Sequence, residues 1–314
     1  MPITTTTTLP PAVQQSFSYK LLLNKRENFI YNMAADKQKM PSHGGDTIRM
    51  KRYNSLDAAM VPLGNTGITP PADLLTAVHI DAKMQFYGKY IILNEQVSLQ
   101  SQDPVLNAAV ERLGHSLRKT EDQLTRDMLA AGAGFVNCVG GVNGDNPTEL
   151  SRTDVDDVVR TMLGNDAITI LDSLIGQDRF GTSPVRDSYV AMCSTDLSAN
   201  LERVAGFTHK NNYPTGDGLR SEYGTISSLR FFVSSLGQKT ANASNKGADL
   251  YNISVTGMEA YSIVEQDEYS SKFIYRPAIY DGPLMLNASA AYKMATVPVI
   301  TNDEWILNLR CTLS

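Results

Sequence analysis

The feature that most constrains the fold of this chain is a long stretch with helical periodicity that begins at Asp103-Pro104. Asp103 is a good helix-capping residue, and proline is tolerated in the first helical turn because its missing N–H has no partner there. Residues 105–131 are predicted to form a helix about 40 Å long, at about 1.5 Å per residue, that ends at Gly132-Ala-Gly134. Apolar residues recur on one stripe at Leu106, Val110, Leu113, Leu117, Leu124 and Met128. A single stripe on so long a helix indicates a rod that lies across a sheet.

The segment before this helix is predicted to contain an arm and a hairpin. Residues 1–45 show little periodicity and are expected to form an extended arm, with a short helix near Asn24 to Ala35. Residues 47–53 alternate apolar and charged side chains, which is typical of a half-buried strand, and residues 78–93 continue in the same way. The connection at residues 57–77 is rich in proline and glycine, so we expect a long loop that packs on something outside its own domain.

The second half of the chain is predicted to be rich in strands. Thr153-Asp-Val-Asp156 resembles a capping box and opens a helix to about Leu163, and Asn165-Asp166 is expected to cap another helix to about Leu174. Residues 135–150 are read as a loop. The predicted strands are Ser188–Cys193, Thr225–Ser234, Tyr251–Val264, Lys272–Ile279, Ala290–Ile300 and Trp305–Leu313, with a short helix across Leu197 and Leu201. The fold class is therefore α+β with one dominant helix.

Charge narrows the range of functions. The chain carries 28 basic and 33 acidic side chains, a net charge of −5, which excludes an ordinary basic nucleic-acid-binding domain. Residues 1–60 contain eight basic and four acidic side chains, so this part is +4 and the remainder is −9. Only 19% of residues are charged, which indicates either a polar uncharged surface or a surface covered by partners. The three cysteines show no C-x-x-C spacing, so we expect reduced, buried thiols.

No enzyme signature is found. The chain lacks a G-x-S-x-G nucleophile elbow and a Walker A loop, and its four histidines are isolated, so no cofactor, catalytic residue or metal site is predicted. Asp154, Asp156 and Asp157 are the exception, because three carboxylates are able to hold Mg²⁺ or Ca²⁺. They lie at a predicted helix N-terminus, where acidic residues offset the helix dipole, and this structural role is preferred. A metal-dependent enzyme is kept as an alternative, as is a β-rich carbohydrate-binding or adhesin-type module.

The order of elements and several short motifs resemble one family. Arm, projecting hairpin, long helix, mixed α/β region and C-terminal strands are similar to the HK97-type major capsid proteins of tailed bacteriophages, and the motifs resemble the N4-like branch. Two departures are Ser221-Glu-Tyr-Gly224 and Asp281-Gly-Pro-Leu284, where the family has Gly-Glu-apolar-Gly and Asp-Pro-Leu. The matching stretches are Gly44–Tyr53, Met84–Leu93, Asp127–Gly132, Gly181–Val190, Ser221–Phe231, Gly257–Tyr261 and Tyr292-Lys293.

The resemblance implies a domain organisation and a structural role. Residues 1–45 would be the N-terminal arm, 46–98 the E-loop hairpin, 99–150 with 266–314 the P-domain, and 151–265 the A-domain. The protein would not be an enzyme and would assemble with itself into hexamers and pentamers of an icosahedral head around double-stranded DNA, without sequence-specific binding. Decoration, scaffolding and portal proteins are further candidate partners, no membrane is involved, and assembly would take place in the bacterial host cytoplasm before the protein resides in the virion.

The same resemblance supplies candidate contact residues. The arm and the long loop would lie on neighbouring subunits, and deletion of residues 1–40 is expected to impair shell formation while leaving the core folded. An encapsulin-like compartment shell, which holds protein cargo, is an alternative with the same fold. The candidates for inter-subunit contacts are Lys20, Lys25, Arg26, Arg49, Arg52, Pro62, Leu63, Ile68 and Glu222.

Overall fold

A computed structural model provides the fold of this chain. It describes most of the chain from residue 27 onward. The described residues are 27–41, 45–60, 72–94, 105–139, 146–169, 188–213, 219, 221–244, 247–267, 272–277, 284 and 286–313.

The predicted long helix is confirmed. Helix α1 spans Val105–Gly132, within one residue of the predicted end, whereas the predicted cap at Asp103-Pro104 lies outside the described residues. Its apolar stripe packs across a sheet, since Leu113 and Leu117 contact Ala290 and Tyr292. The last residue of the helix, Gly132, lies close to strand β14, since a Cβ there would lie 2.6 Å from Cδ1 of Ile300.

Two shorter helices follow. Helix α2 spans Arg152–Gly164 and helix α3 spans Ser198–Arg203. The capping box of α2 is formed by Ser151 and Asp154, so the prediction that Thr153 opens it is wrong by two residues. Ser194 caps the short turn that leads into α3.

The remaining regular structure consists of strands. The strand that the alternation at residues 47–53 predicted is confirmed at both ends. The strands are β1 Asp36–Met40, β2 Thr47–Tyr53, β3 Ala77–Lys83, β4 Gln85–Asn94, β5 Gly134–Asn137, β6 Tyr189–Ser194, β7 Thr208–His209, β8 Glu222–Ile226, β9 Leu229–Ser234, β10 Lys239–Thr240, β11 Leu250–Thr256, β12 Tyr261–Gln266, β13 Lys272–Arg276, β14 Asn287–Ile300 and β15 Ile306–Thr312.

A five-stranded sheet lies under helix α1. Its order is β1-β12-β14-β13, and β4 pairs with the long strand β14. All its pairings are antiparallel except that of β1 with β12, which is parallel. Strands β2 and β3 form a hairpin as a separate antiparallel pair, and Ile48 and Met50 pack its base against a cluster that contains Met40 and Met84. The second strand, predicted over residues 78–93, is divided: β3 ends at Lys83, and β4 joins the five-stranded sheet because β14 supplies its hydrogen-bonding partners.

An eight-stranded sheet forms the larger core. Its order is β5-β15-β11-β6-β9-β8-β7, with β10 paired to β11. Strand β6 is buried along its whole length, and helix α2 packs Val155, Val158 and Met162 onto the core of this sheet. Two pairs in this sheet are parallel, namely β5 with β15 and β6 with β9, and each joins strands that lie far apart in the sequence.

Several local predictions are wrong. The described part of the predicted helix at residues 24–35 is not helical; it forms a turn and leads into strand β1. Residues 134–137 form strand β5 and not a loop, because β15 supplies hydrogen-bonding partners. Residues 167–169 are not helical, while the rest of the helix expected after Asn165-Asp166 lies outside the described residues.

Two of the predicted strands are each split by a turn. Ser227, with a φ of 55°, separates β8 from β9, and Glu259, also with a φ of 55°, lies between β11 and β12. The positive φ values reverse the chain where alternation alone predicted a continuous strand. The eight-stranded sheet combines β15 with strands of the predicted A-domain, and the predicted domain division itself stays a prediction.

Two further properties follow from the described residues. Cys138, Cys193 and Cys311 are unpaired and buried, as the sequence predicted. Among the helices described, none has both the length and the apolar character that crossing a membrane requires.

Candidate inter-subunit surfaces

The β2–β3 hairpin presents an apolar tip. Its described residues on either side of positions 61–71 have no regular structure. Met60 is 86% exposed and Leu74 is 82% exposed, and Leu56 and Leu75 are also exposed. We call these four residues the tip. The predicted contact residues Pro62, Leu63 and Ile68 belong to the same connection but lie outside the described residues.

Arg49 forms a cross-strand ion pair within the hairpin. It lies opposite Asp81 in the register, and its Nε and Nη2 donate to the two carboxylate oxygens over 2.6 and 2.8 Å. Hydrogen bonding and charge attraction from Arg49 hold the pKa of Asp81 below its ordinary value. Because both side chains are exposed, the pair contributes little to stability, and its charges lie on the surface.

Arg52 joins the hairpin to the body of the subunit. Its Nη1 donates to Oδ1 of Asn302 and to the Thr301 carbonyl oxygen, and its Nη2 lies 3.9 Å from Asp303. The guanidinium is about one-third exposed. Arg52 therefore fixes the direction in which the hairpin leaves the sheet, and its role as an inter-subunit contact stays a prediction.

A second exposed apolar surface lies on strand β4. Phe86, Tyr90 and Ile92 alternate along this strand and are all exposed. We call these three residues the β4 face. A shallow groove of about 370 Å³ runs beside it, between β4 and the neighbouring strand β14. Gly88 forms its floor, where a Cβ would lie 2.9 Å from the Tyr292 carbonyl oxygen.

The start of the described chain is held on helix α1. Glu27 is nearly buried, with one carboxylate oxygen 3.0 Å from Lys119 Nζ and the other 3.0 Å from His115 Nε2. Burial raises the pKa of Glu27, but the hydrogen bond from Lys119 and the charges of Lys119 and His115 outweigh it and lower that pKa. The Tyr31 N–H donates to Asp122 over 2.8 Å. Glu27 and Tyr31 are thus anchored to helix α1, while the predicted contacts Lys20, Lys25 and Arg26 lie outside the described residues.

Glu222 lies inside the subunit and not on its surface. It is 3% exposed. Its carboxylate accepts hydrogen bonds from the Tyr213 hydroxyl and the Leu219 N–H, each over 2.8 Å, and lies 3.9 Å from buried Arg230. Burial and the neighbouring Glu222 raise the pKa of Tyr213. The structure therefore gives Glu222 a role within the fold, which corrects the prediction of a surface contact.

The three aspartates considered as a metal site have separate partners. Asp154 is buried and accepts from the backbone N–H groups of Ser151 and Val139. Asp156 pairs with Arg152, and Asp157 pairs with Arg160, on the surface of helix α2. Their roles as a helix cap and two surface ion pairs agree with the structural interpretation, and within the described residues no group of three potential ligands converges.

Sequence reasoning missed the β4 face and most of the tip. The alternation of Phe86, Tyr90 and Ile92 was visible, but alternation predicts a buried face and an exposed face without saying which is which. Leu74 and Leu75 stand beside the proline-rich loop with no periodic partner, and this was the signal available for the tip.

Comparison with known proteins gives a consistent result. Residues 79–272 match the family model described as "Phage capsid protein". The fold is similar to that in the capsid of Ralstonia phage GP4, with a TM-score of 0.73 and 12% identity over 100% of this chain and 99% of the other. It is also similar to that in the capsid of Cyanophage P-SCSP1u, with a TM-score of 0.68 and 12% identity over 96% and 93%. No curated protein sequence matches the chain. The predicted HK97-type fold is confirmed.

Proposed function

We propose that this chain, which belongs to the phage capsid protein family, forms hexamers and pentamers of an icosahedral head that encloses double-stranded DNA. Members of this family are structural proteins and not enzymes, so the chain is a component of a bacteriophage capsid. The N4-like branch, which the motifs favour, stays a prediction. So does assembly in the cytoplasm of a bacterial host.

The exposed apolar tip is the observation that supports self-assembly most directly. Met60 and Leu74 are both more than four-fifths exposed at the end of a hairpin whose base is packed and hydrogen bonded. Each large apolar side chain left in water costs about 1.5–3 kcal/mol relative to burial. A fixed element that carries such side chains away from its own core is typical of a surface that a partner covers.

The remaining contacts follow from the family organisation. The tip would lie over a neighbouring subunit, and the β4 face would be covered by another copy of the chain. The N-terminal arm would reach a further neighbour, and the charge of +4 on residues 1–60 would meet a body that carries −9. Arg49 and Arg52 remain candidates for such contacts, as do the candidates outside the described residues.

The partition into domains is part of the same proposal. Residues 1–45 form the arm, 46–98 the E-loop, 99–150 with 266–314 the P-domain, and 151–265 the A-domain at the capsomer centre. The genome would be enclosed without sequence-specific contacts, which agrees with the acidic net charge of −5. Scaffolding, decoration and portal proteins are the further partners expected of such a shell.

Size-exclusion chromatography with light scattering tests self-assembly through the tip. The purified chain, at 34.4 kDa, should elute as a much larger species under assembly conditions. Combined substitution Leu74→Ser and Leu75→Ser should reduce the assembled fraction at least tenfold without unfolding the subunit, because both side chains are already in water.

Leu163→Ser provides the matched control. Leu163 is 60% exposed on helix α2 and lies outside the hairpin. This variant should assemble as the unchanged chain does. Full assembly of the doubly substituted tip variant would refute the role of the tip.

A further inference from the structure

The C-terminal strand brings two cysteines side by side in the core. Strand β15 runs parallel to β5, with Arg310 opposite Asn137. The Cys138 N–H donates to the Arg310 carbonyl oxygen over 2.8 Å, so the pairing continues past the end of β5. Cys138 and Cys311, one residue further along each strand, are therefore neighbours, and both side chains belong to the same buried core cluster.

The spacing suits a disulfide between these two residues and no other pair. Adjacent strands lie about 4.8 Å apart, and disulfides join Cα atoms separated by about 4.4–6.8 Å. Cys193 lies on β6, which is separated from β15 by β11, so it stands about 10 Å from Cys311. All three cysteines have no exposed surface, so Cys193 is an internal control for the effect of burial.

We propose that Cys138 and Cys311 are a latent redox pair, which remains as two thiols under reducing conditions and closes to a disulfide within the subunit when hydrogen peroxide reaches it. The thiolate of one of the two cysteines attacks one peroxide oxygen, which forms a sulfenic acid and releases hydroxide. The sulfur of the other cysteine then attacks the sulfenic sulfur, so that the S–S bond forms, the S–O bond breaks and the oxygen leaves as water. The two thiols lose two protons and two electrons in total, and peroxide is reduced to two water molecules.

The surroundings of Cys138 slow the reaction. Cys138 directly follows the end of β5, and its carbonyl oxygen accepts a hydrogen bond from the Thr148 N–H. Only the thiolate is nucleophilic. The hydrogen bond with Cys311 and burial both raise the pKa of the Cys138 thiol, so the reaction should be slow at neutral pH and faster as the pH rises.

The new bond would tie the strand that follows helix α1 to the last strand of the chain. It would close a ring that contains helix α2 and most of the eight-stranded sheet, and a cross-link over so long a loop restricts the unfolded chain strongly. Formation of the disulfide requires only the folded chain. The circumstance in which it would form rests on the proposed function, because a capsid shell leaves a reducing cell for an oxidising medium.

Peptide mapping of the full chain tests the pair. Reduced protein is treated with hydrogen peroxide at pH 8, quenched, unfolded in the presence of iodoacetamide, and digested for mass spectrometry. Alkylation of Cys138 and Cys311 should fall together at least tenfold, and one linked peptide that contains both should appear with the loss of two hydrogen masses. The melting temperature should rise by several degrees and return to its starting value with dithiothreitol.

Three single variants make the assignment specific. Cys193→Ala should keep the linked peptide, whereas Cys138→Ala and Cys311→Ala should each abolish it together with the rise in melting temperature. The proposal is overturned if both thiols stay alkylated after treatment, or if the link involves Cys193 or a second subunit. The mapping on the unchanged chain decides the matter even if one alanine variant fails to fold. Assembly is not needed for this readout, so its outcome is independent of the capsid proposal.

Discussion

Asp122 shows how a single residue makes the subunit sensitive to pH. Asp122 lies on helix α1 and has no exposed surface, and one of its carboxylate oxygens accepts a hydrogen bond from the Tyr31 N–H. Burial raises its pKa to about 6, although the backbone hydrogen bonds oppose the shift. Burial and the nearby Glu265 raise the pKa of Glu121 to about 7. The folded chain therefore binds more protons than the unfolded chain between about pH 4 and 7, and its free energy of unfolding falls as the pH rises through that range.

Substitution Asp122→Asn should remove part of this dependence. The amide oxygen can still accept the Tyr31 N–H, but no buried charge forms above pH 6. The free energy of unfolding at pH 8 should rise by about 1–3 kcal/mol relative to the unchanged subunit, with little difference at pH 4. Urea unfolding of both chains at pH values from 4 to 8 measures this difference in the free energy of unfolding. Asp127→Asn, at an exposed position on the same helix, should leave the slope unchanged, and an unchanged slope in Asp122→Asn would contradict the account.

Gly224 gives a physical reason for one motif of the family resemblance. A Cβ at this position would lie 2.6 Å from the Thr208 carbonyl oxygen and 2.5 Å from the Phe207 ring, where β8 approaches β7. Because one of these atoms belongs to the backbone, the strands would have to separate to admit it.

Gly224→Ala should therefore lower the free energy of unfolding by about 1–3 kcal/mol. Gly114 is the matched control, since it lies in helix α1 with open space around it, and Gly114→Ala should stabilise the chain by up to about 1 kcal/mol. Chemical denaturation of both variants at one pH separates the two effects. Equal stability changes of the same sign would show that close approach is not what requires Gly224.

At the scale of elements, the residue patterns predicted the helices and strands whose periodicity is complete within one segment. They missed the strands that are defined by pairing with a distant part of the chain. Helix α1 and strand β2 were predicted because their periodicity is complete within the segment. Strands β1 and β5 were missed, because each is short and is defined by a parallel partner far along the chain. Glu222 was taken for a contact residue for a similar reason: its burial depends on Tyr213 and Arg230, which no local pattern links to it.

The observed structure of the N-terminal segment changes the design of the deletion experiment. The expectation that residues 1–40 can be deleted without harm to the core is not supported, since Ile30, Tyr31 and Met40 are core residues and β1 pairs with β12. Deletion of residues 1–26 should leave the subunit folded and impair shell formation. Deletion of residues 1–40 should lower the free energy of unfolding by roughly 5 kcal/mol or more, from the lost burial of these side chains.

Thermal unfolding and soluble yield of the two truncated chains distinguish these outcomes. The full chain and the chain lacking residues 1–26 should melt within a few degrees of each other. If the chain lacking residues 1–40 melted at the same temperature as the other two chains, the contacts of this segment with helix α1 would have no part in the stability of the subunit.

At the scale of the whole molecule, the low content of charged residues has an explanation. A chain with 19% charged residues leaves an apolar hairpin tip and an apolar sheet face in water when alone. In a closed shell the edges of each subunit become interfaces, and only two faces meet solvent. The fold is shared with capsid subunits at 12% identity, so it is the arrangement of arm, hairpin, helix and sheets that is kept, and the individual contacts must be supplied by this chain's own residues.

Electron microscopy of the purified chain after assembly tests the central claim most directly. We expect closed particles whose reconstruction shows five-fold and six-fold capsomers, with the hairpin of each subunit lying over its neighbour. A stable 34.4 kDa monomer under every assembly condition would contradict it.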